Sequence, residues 1–232
     1  MSGMVAAGSL RKVDLHLHSP AGGDYRGDPH TTAAEIRDRC LAHRLDLVVL
    51  ADHMTLEGWT EFSSLTHPPV FLPGVELKLA WDRLSAHLVA IFPPCRVPQA
   101  LLELRRAFSH LTTDIQTLSM ARIHARPAAV LRFLKESGAL TIAAHMDRLA
   151  DGVRALAQLE EAGGVDAVEF DDPAAAGRFE LNGLARVVSS DAHSLEEIGR
   201  RYTELPLNET SFEGLAAALR NGKSAAVAGD VP

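Results

Sequence analysis

Short apolar runs alternate with helically patterned stretches along almost the whole chain. Residues 13–18, 47–51, 70–77, 84–92, 140–144, 165–170 and 186–190 read as strands, most of them rich in aliphatic side chains. Between them the 3.6-residue pattern marks helices at 31–43, 98–109, 127–137, 153–162, 174–184 and 211–220, with a shorter one near 56–64. Thr32 and Glu35 stand at capping-box spacing at the head of the first helix. Gly138, Gly163-Gly164 and Gly222 stand where helices stop. The runs 70–77 and 84–92 are separated by only six residues and are expected to pair as a hairpin. Elsewhere the alternation is that of βαβ units and a mostly parallel sheet, either a barrel or an open doubly wound sheet. No repeat or linker divides the chain. It reads as one α/β domain over 12–222, with a loose leader at 1–11 and a tail at 223–232.

The polar residues at the ends of these runs carry the chemistry. In Asp14-Leu15-His16-Leu17-His18 the two histidines are two residues apart, so on a strand they share a face and can reach one ion. Ser190-Asp191-Ala192-His193 repeats the arrangement after Val187-Val188. Asp52-His53 follows 47–50, Glu76 follows 70–75, His87 lies in an alternating strand and His145 closes 140–144. A lone His-x-His is a weak signal. Histidines and carboxylates at the ends of six successive apolar segments predict a metal centre, and in barrels the chemistry sits at the C-terminal face. Imidazole and carboxylate together suit Zn²⁺, Mn²⁺ or Fe²⁺, and the lack of thiolates argues against a structural zinc knot. Two such ions about 3.5–4 Å apart can clamp the oxygens of a phosphoester and lower the pKa of a shared water from about 15.7 toward 7. The hydroxide so formed would be the nucleophile.

Composition narrows this picture. A chain of 232 residues with 47% hydrophobic side chains can bury a full core. The net charge of −7 gives no basic field for holding a long nucleic acid, which weakens a polynucleotide-binding role and leaves short or single-nucleotide substrates open. Cys40 and Cys95 are far apart and suggest no disulfide framework. No run of about 18 apolar residues is present to span a membrane, and the first residues lack a signal-peptide pattern. A cytoplasmic protein is expected.

Six ordered motifs, Asp14-Leu15-His16-Leu17-His18-Ser19, Ala51-Asp52-His53, Pro73-Gly74-Val75-Glu76, Ala86-His87-Leu88, Ala144-His145 and Ser190-Asp191-Ala192-His193, together resemble the PHP (polymerase and histidinol phosphatase) family. The likeness runs from residue 12 to residue 222. It implies a distorted barrel of seven strands and helices, with two to three divalent ions (Zn, Mn or Fe) at the C-terminal ends of the strands. The resemblance gives His16, His18, Glu76 and Asp191 to a first ion, with Glu76 bridging to a second ion held by His87 and His145. A third would take His53, His193 and an acidic residue in the loop after His18. The family usually has that residue five positions after the second histidine. Gly23 stands there, so Asp24 is expected, with Asp28 as the fallback. Asp191, His193 and His145 are also expected to serve catalysis. Met146 stands where the family often has proline, which alters the loop and not the ligand.

The activity implied is hydrolysis of a small phosphorylated metabolite, such as histidinol phosphate, a nucleotide, a sugar phosphate or a small phosphodiester. Two alternatives remain: an amidohydrolase-type enzyme, in which Lys78 would be a carbamylated bridge, and a metal-stabilised module acting with a partner protein. Asp52 and Asp14 read as carboxylates that hold a ligand or a loop in place. Arg148, three residues beyond His145, either reaches a substrate phosphate with its fork or forms a surface ion pair. Arg178, Arg200 and Arg201 are weaker candidates for the same role. Glu169, which ends the 165–170 strand on the catalytic side, and Asp171 and Asp172 after it either order a ligand or bind the substrate, or form a polar loop start, the reading preferred here. His30, His43, His67, His110 and His124 lack ligand spacing and read as solvated.

Overall fold

The computed structural model describes residues 9–65, 68–107, 122–222 and 226–228. Its strands are β1 (Ser9–Leu17), β2 (Leu47–Leu50), β3 (Val70–Trp81), β4 (Leu84–Ile91), β5 (Ile123–His124), β6 (Leu140–Ala144), β7 (Ala167–Glu169), β8 (Ala185–Val187), β9 (Tyr202–Leu207) and β10 (Ala226–Ala228). They form one sheet in the order β10-β9-β1-β2-β3-β4-β6-β7-β8, with β5 on β3. The chain beyond β8 then returns alongside β1. Leu17 bridges Ala192 in parallel, Asp191 N donates to His16 O at 2.9 Å, and His18 N donates to Ala192 O at 2.9 Å. The sheet is thus a nearly closed barrel, as expected, and its seam runs through two ligand motifs.

The helices are α1 (Ala33–Ala42), α2 (Trp59–Phe62), α3 (Val97–Ala107), α4 (Pro127–Glu136), α5 (Gly152–Glu161) and α6 (Phe212–Arg220). Thr32 and Glu35 form the capping box on α1. Ser211 caps α6, its hydroxyl accepting from Gly214 N. Gly138, Gly163, Gly164 and Gly222 all take positive φ after helices, the conformation their placement predicted. Leu134 of α4 and Leu156 and Leu159 of α5 pack with Leu88, Phe92, Val168 and Phe170. Ile36 and Cys40 of α1 join Val48, Leu50 and Phe71, while Leu215 and Leu219 of α6 join Leu205, Val13 and Leu15. Each fully buried aliphatic or aromatic side chain of this kind contributes about 1.5–3 kcal/mol. Along β1 the alternation is complete. Val13, Leu15 and Leu17 enter apolar clusters, while Asp14, His16 and His18, equally buried, face the other way. The apolar face anchors the strand whose polar face builds the site.

Several expectations need correction. The first strand begins at Ser9, so residues 9–11 of the supposed leader are sheet, pairing with β9 from Ser9↔Leu207 to Val13↔Thr203. Residues 226–228 of the supposed tail pair with β9 as well. β9 was hidden by Pro206, which argues against a strand. Parallel pairing joins β1–β2, β2–β3, β3–β5, β6–β7 and β7–β8, but β4, β9 and β10 run antiparallel to their neighbours. The helix expected at 174–184 is only a 3-10 segment, Pro173–Arg178. It ends where Phe179 turns its ring edge-on to Phe170, with centroids 5.0 Å apart. The β3–β4 hairpin is present, and tighter than expected. Trp81 pairs with Leu84, leaving a two-residue turn of Asp82 and Arg83, both at positive φ.

Candidate metal centre

Each motif residue reaches the barrel rim by a different local device. His16 lies in β1 and His18 just beyond it. His53 follows β2 and continues the sheet, bridging Glu76 of β3 in parallel. Met54 N donates to Glu76 O at 3.0 Å and Glu76 N to Asp52 O at 3.1 Å. Because β4 runs antiparallel, His87 in its first half lies at the same rim, opposite Lys78 and beside Ala144. The chain turns out of the sheet at His145 (φ 33°) and Asp191 (φ 50°). Left-handed conformations cost a residue with a Cβ on the order of 1–3 kcal/mol, and they persist where the surroundings enforce them. Gly23, at φ 77°, closes a short 3-10 segment over Pro20–Gly22 and brings Asp24 back over the rim.

Nine side chains converge there in three groups: His16, His18, Glu76 and Asp191; Glu76, His87 and His145; and His18, Asp24, His53 and His193. Glu76 is the hub. Its Oε1 lies 2.6 Å from His87 Nδ1 and 3.1 Å from His145 Nε2. Its Oε2 lies 2.8 Å from His53 Nδ1, 3.3 Å from His16 Nε2 and 3.5 Å from His18 Nε2. Asp191 Oδ1 is 3.2 Å from His18 Nε2 and 3.5 Å from His16 Nε2. Asp24 Oδ2 is 2.9 Å from His53 Nε2 and 3.2 Å from His193 Nε2. The structure brings together the side chains named from the motifs, and His18 stands in two of the groups.

Hydrogen bonding alone does not explain this arrangement. Five imidazoles face one carboxylate, although a neutral imidazole has a single donor. His16 Nε2 and His18 Nε2 face each other at 3.1 Å. His53 Nδ1 is close to Glu76 yet makes no aligned hydrogen bond, and His18 Nδ1, His145 Nδ1 and Asp24 Oδ1 are buried without any partner. Lone pairs converging on shared points suit a cation. Burial by itself would lower the pKa of His16 and His53. Instead Glu169, Glu76 and Asp191 hold His16 well above its ordinary value, and Asp24 and Glu76 raise His53 to about 9. His18 has fewer compensating charges, and burial pushes it down to about 3. Despite burial, the histidines hold Glu76 well below the carboxylate range. The cluster therefore draws positive charge to its centre, and a donor set of imidazoles and carboxylates fits divalent Zn, Mn or Fe.

Supporting residues surround the groups. Asp52 accepts from Ser19 N at 2.6 Å and from Ser19 Oγ at 2.7 Å, bracing the loop that carries Asp24. Asp14 accepts from Ser190 N at 3.0 Å, tying β1 to the seam, and burial raises its pKa to about 6. Glu169, expected to be a loop start, is buried, and its Oε2 lies 3.0 Å from His16 Nδ1. Arg148 sits in the turn after His145. It reaches Asp191 Oδ2 at 2.6 Å through Nη1 and grips both oxygens of Asp171. Arg201 reaches Asp171 Oδ1 at 2.6 Å. Asp28 is exposed and accepts from His30 N, apart from the groups, so Asp24 is the acidic residue brought to them. His43 ends α1, and His30 and His124 are exposed. His67 and His110 lie outside the described residues. Cys40 is buried and Cys95 exposed, both as free thiols. No helix among the described residues is long and apolar enough to cross a membrane.

Comparison with known proteins agrees with the motif resemblance. A family model described as PHP-associated matches residues 174–224. A 3',5'-nucleoside bisphosphate phosphatase of Chromobacterium violaceum is 31% identical over 84 residues, covering 35% of this chain and 28% of that protein. The uncharacterized protein YqxK of Bacillus subtilis is 28% identical over 162 residues, covering 64% of this chain and 41% of that protein. The chain thus spans less than half the length of these curated relatives. Among solved structures, the lesion-specific endonuclease EndoQ from Pyrococcus furiosus superposes with a TM-score of 0.72 at 19% identity, covering 94% of this chain and 58% of that one. Endonuclease Q is also known in complex with a 27-mer duplex carrying an abasic lesion at the active site. The barrel found here therefore also serves an enzyme of nucleic acid. The expectation that net charge weakens such a role is not supported.

Proposed function

We propose that this chain, a PHP-family barrel, is a metal-dependent phosphoesterase acting on a small phosphorylated compound, either a phosphomonoester or a small phosphodiester. The observation that carries the reading is the convergence of five histidines on buried Glu76, flanked by Asp191 and Asp24. We assign His16, His18, Glu76 and Asp191 to one ion, Glu76, His87 and His145 to a second, and Asp24, His53 and His193 to a third. Bound divalent ions would supply Lewis-acid activation of water and of the phosphoryl group. The chain's own residues do the rest. Glu169 and Asp14 hold β1 and its histidines from behind, and Asp52 holds the loop of Asp24. Arg148, half-exposed beside Asp191, spends its Nε–Nη2 fork on Asp171 and reaches Asp191 through Nη1, which leaves only its outer Nη protons for the reacting phosphate.

The test is hydrolysis of an aryl phosphate and a panel of phosphometabolites by protein loaded separately with Mn²⁺, Zn²⁺ and Fe²⁺. Turnover is expected to require metal and to be abolished in His16→Ala and Asp191→Ala. Absence of metal-dependent turnover across the panel would sink the proposal.

A further inference from the structure

At the end of the barrel opposite the ligand groups lies a cleft of about 520 Å³, lined in part by Leu131, Arg132 and Lys135 of α4, Val165 and Asp166 before β7, and Arg220 at the end of α6. It opens at the first residues of β6 and β7, strands whose far ends lead to His145 and Glu169. The volume suits a small organic molecule. Its floor is apolar, with Leu131, Ala139 and Val165 all buried. Its rim is cationic. Asp166 is the single carboxylate of the lining, and both its oxygens are engaged. Oδ2 accepts from Thr141 N at 2.8 Å and from Thr141 Oγ1 at 3.3 Å, while Oδ1 accepts from Arg220 Nε at 3.2 Å. This pairing holds Arg220 by one edge and leaves both its Nη groups without a partner among the described residues. Arg132 and Lys135 are exposed and make no ion pair with any described residue. They stand three positions apart on one helix, where like charges repel. Three cations against one carboxylate leave a local charge of +2 in a chain whose net charge is −7. The loop Ala162-Gly163-Gly164-Val165 edges the cleft but offers no free N–H. Gly163 N, Gly164 N and Val165 N donate to Glu160 O, Leu159 O and Glu160 Oε1. Recognition of an anion here therefore falls to the side chains.

We infer that this cleft is a second binding site, separate from the metal centre, for a small phosphorylated organic molecule. Its phosphate meets Arg132, Lys135 and Arg220, and its apolar part lies on Leu131 and Val165. A phosphomonoester is doubly charged above about pH 6, which matches the charge of the rim, whereas a single carboxylate matches half of it. Guanidinium forks and an ammonium group suit the oxygens of such a head. The site stands whether or not the metal centre hydrolyses phosphoesters.

Zinc-loaded, ¹⁵N-labelled protein is titrated with phenylphosphonate at about pH 8, where the probe is mostly doubly charged and its C–P bond is not hydrolysed. The backbone signals of Gly163 and Gly164 are expected to shift. Those of Gly22 and Gly23, beside Asp24, report separately any binding at the metal centre. In Arg132→Gln and in Arg220→Gln the affinity read at Gly163 and Gly164 is expected to fall about tenfold or more. Arg132 is exposed on α4 and glutamine is a good helix former, so that variant keeps the fold. Benzoate, with one charge, and methylphosphonate, without the ring, are expected to bind more weakly at the same signals. Shifts confined to Gly22 and Gly23, or an affinity unchanged in both variants, overturn the site. Benzoate or methylphosphonate binding as tightly as phenylphosphonate overturns it too, since neither the double charge nor the apolar floor would then be used.

Discussion

At the scale of single residues, the contrast between Asp24 and Glu169 shows what a motif can and cannot carry. Asp24 was legible because a spacing rule pointed to the loop after His18 and the adjoining Gly22-Gly23 made a turn feasible. Glu169 was legible only as one of two readings, ordering a ligand or starting a loop, because the choice depends on a contact across 153 residues of sequence with His16 Nδ1. The signal available was an acidic side chain between Val168 and Phe170, both of them core residues. A carboxylate placed behind a ligating histidine fixes the tautomer and ring orientation, and its loss typically weakens metal binding about 10–100-fold. Glu169→Ala is expected to lower the affinity of the Glu76–Asp191 group by that range, measured by competition with a chromogenic chelator. Glu169→Gln, which can still accept from Nδ1, should fall between it and the wild type. Unchanged metal affinity in Glu169→Ala would show that apolar packing alone aligns His16.

At the scale of elements, what the sequence concealed is mostly where one segment overrides the pattern of another. Pro206 masked β9, and the stretch after Asp172 takes a 3-10 form that ends where Phe179 turns to extended backbone and packs on Phe170. The hairpin of β3 and β4 was legible from its two apolar runs, but its turn was not, since Asp82-Arg83 lacks the glycine usual in two-residue turns of positive φ. This hairpin holds Glu76 and His87 in register, with Lys78 opposite His87. A left-handed residue with a Cβ costs roughly 1–2 kcal/mol relative to one without, offset in part by the added freedom of glycine in the unfolded chain. Arg83→Gly is therefore expected to raise stability, by up to about 1 kcal/mol, in denaturant titration, with metal affinity unchanged because the side chain is exposed in the turn beyond Trp81 and Leu84. A loss of stability would mean that Arg83 makes contacts worth more than the strain it bears.

At the scale of the whole molecule, an ion in the candidate centre would fasten the barrel. Its ligands come from β1, the segments after β2 and β6, β3, β4 and the seam after β8, so an ion there joins parts of the chain that the sheet leaves unpaired between β8 and β1. Without a divalent ion, buried Asp14, Glu76 and Glu169 and half-buried Asp191 are offset only by the protons that His16 and His53 retain, in low-dielectric surroundings. The apolar clusters around α4, α5 and α6 do not include these residues, so the stripped chain should remain folded but weaker. An ion at a thousandfold excess over its Kd adds about 4.1 kcal/mol. For a chain of this size each kcal/mol moves Tm by about 2–4 °C. Removing metal with a chelator is therefore expected to lower Tm by roughly 10 °C for a single tightly held ion, and further if two or three are held. Adding Mn²⁺ or Zn²⁺ should restore it, and His16→Ala should blunt the response. An unchanged Tm after loss of metal, verified by elemental analysis, would mean that the seam is held by Asp14, Ser190 and the β1 backbone alone, and that the ions act only in the chemistry.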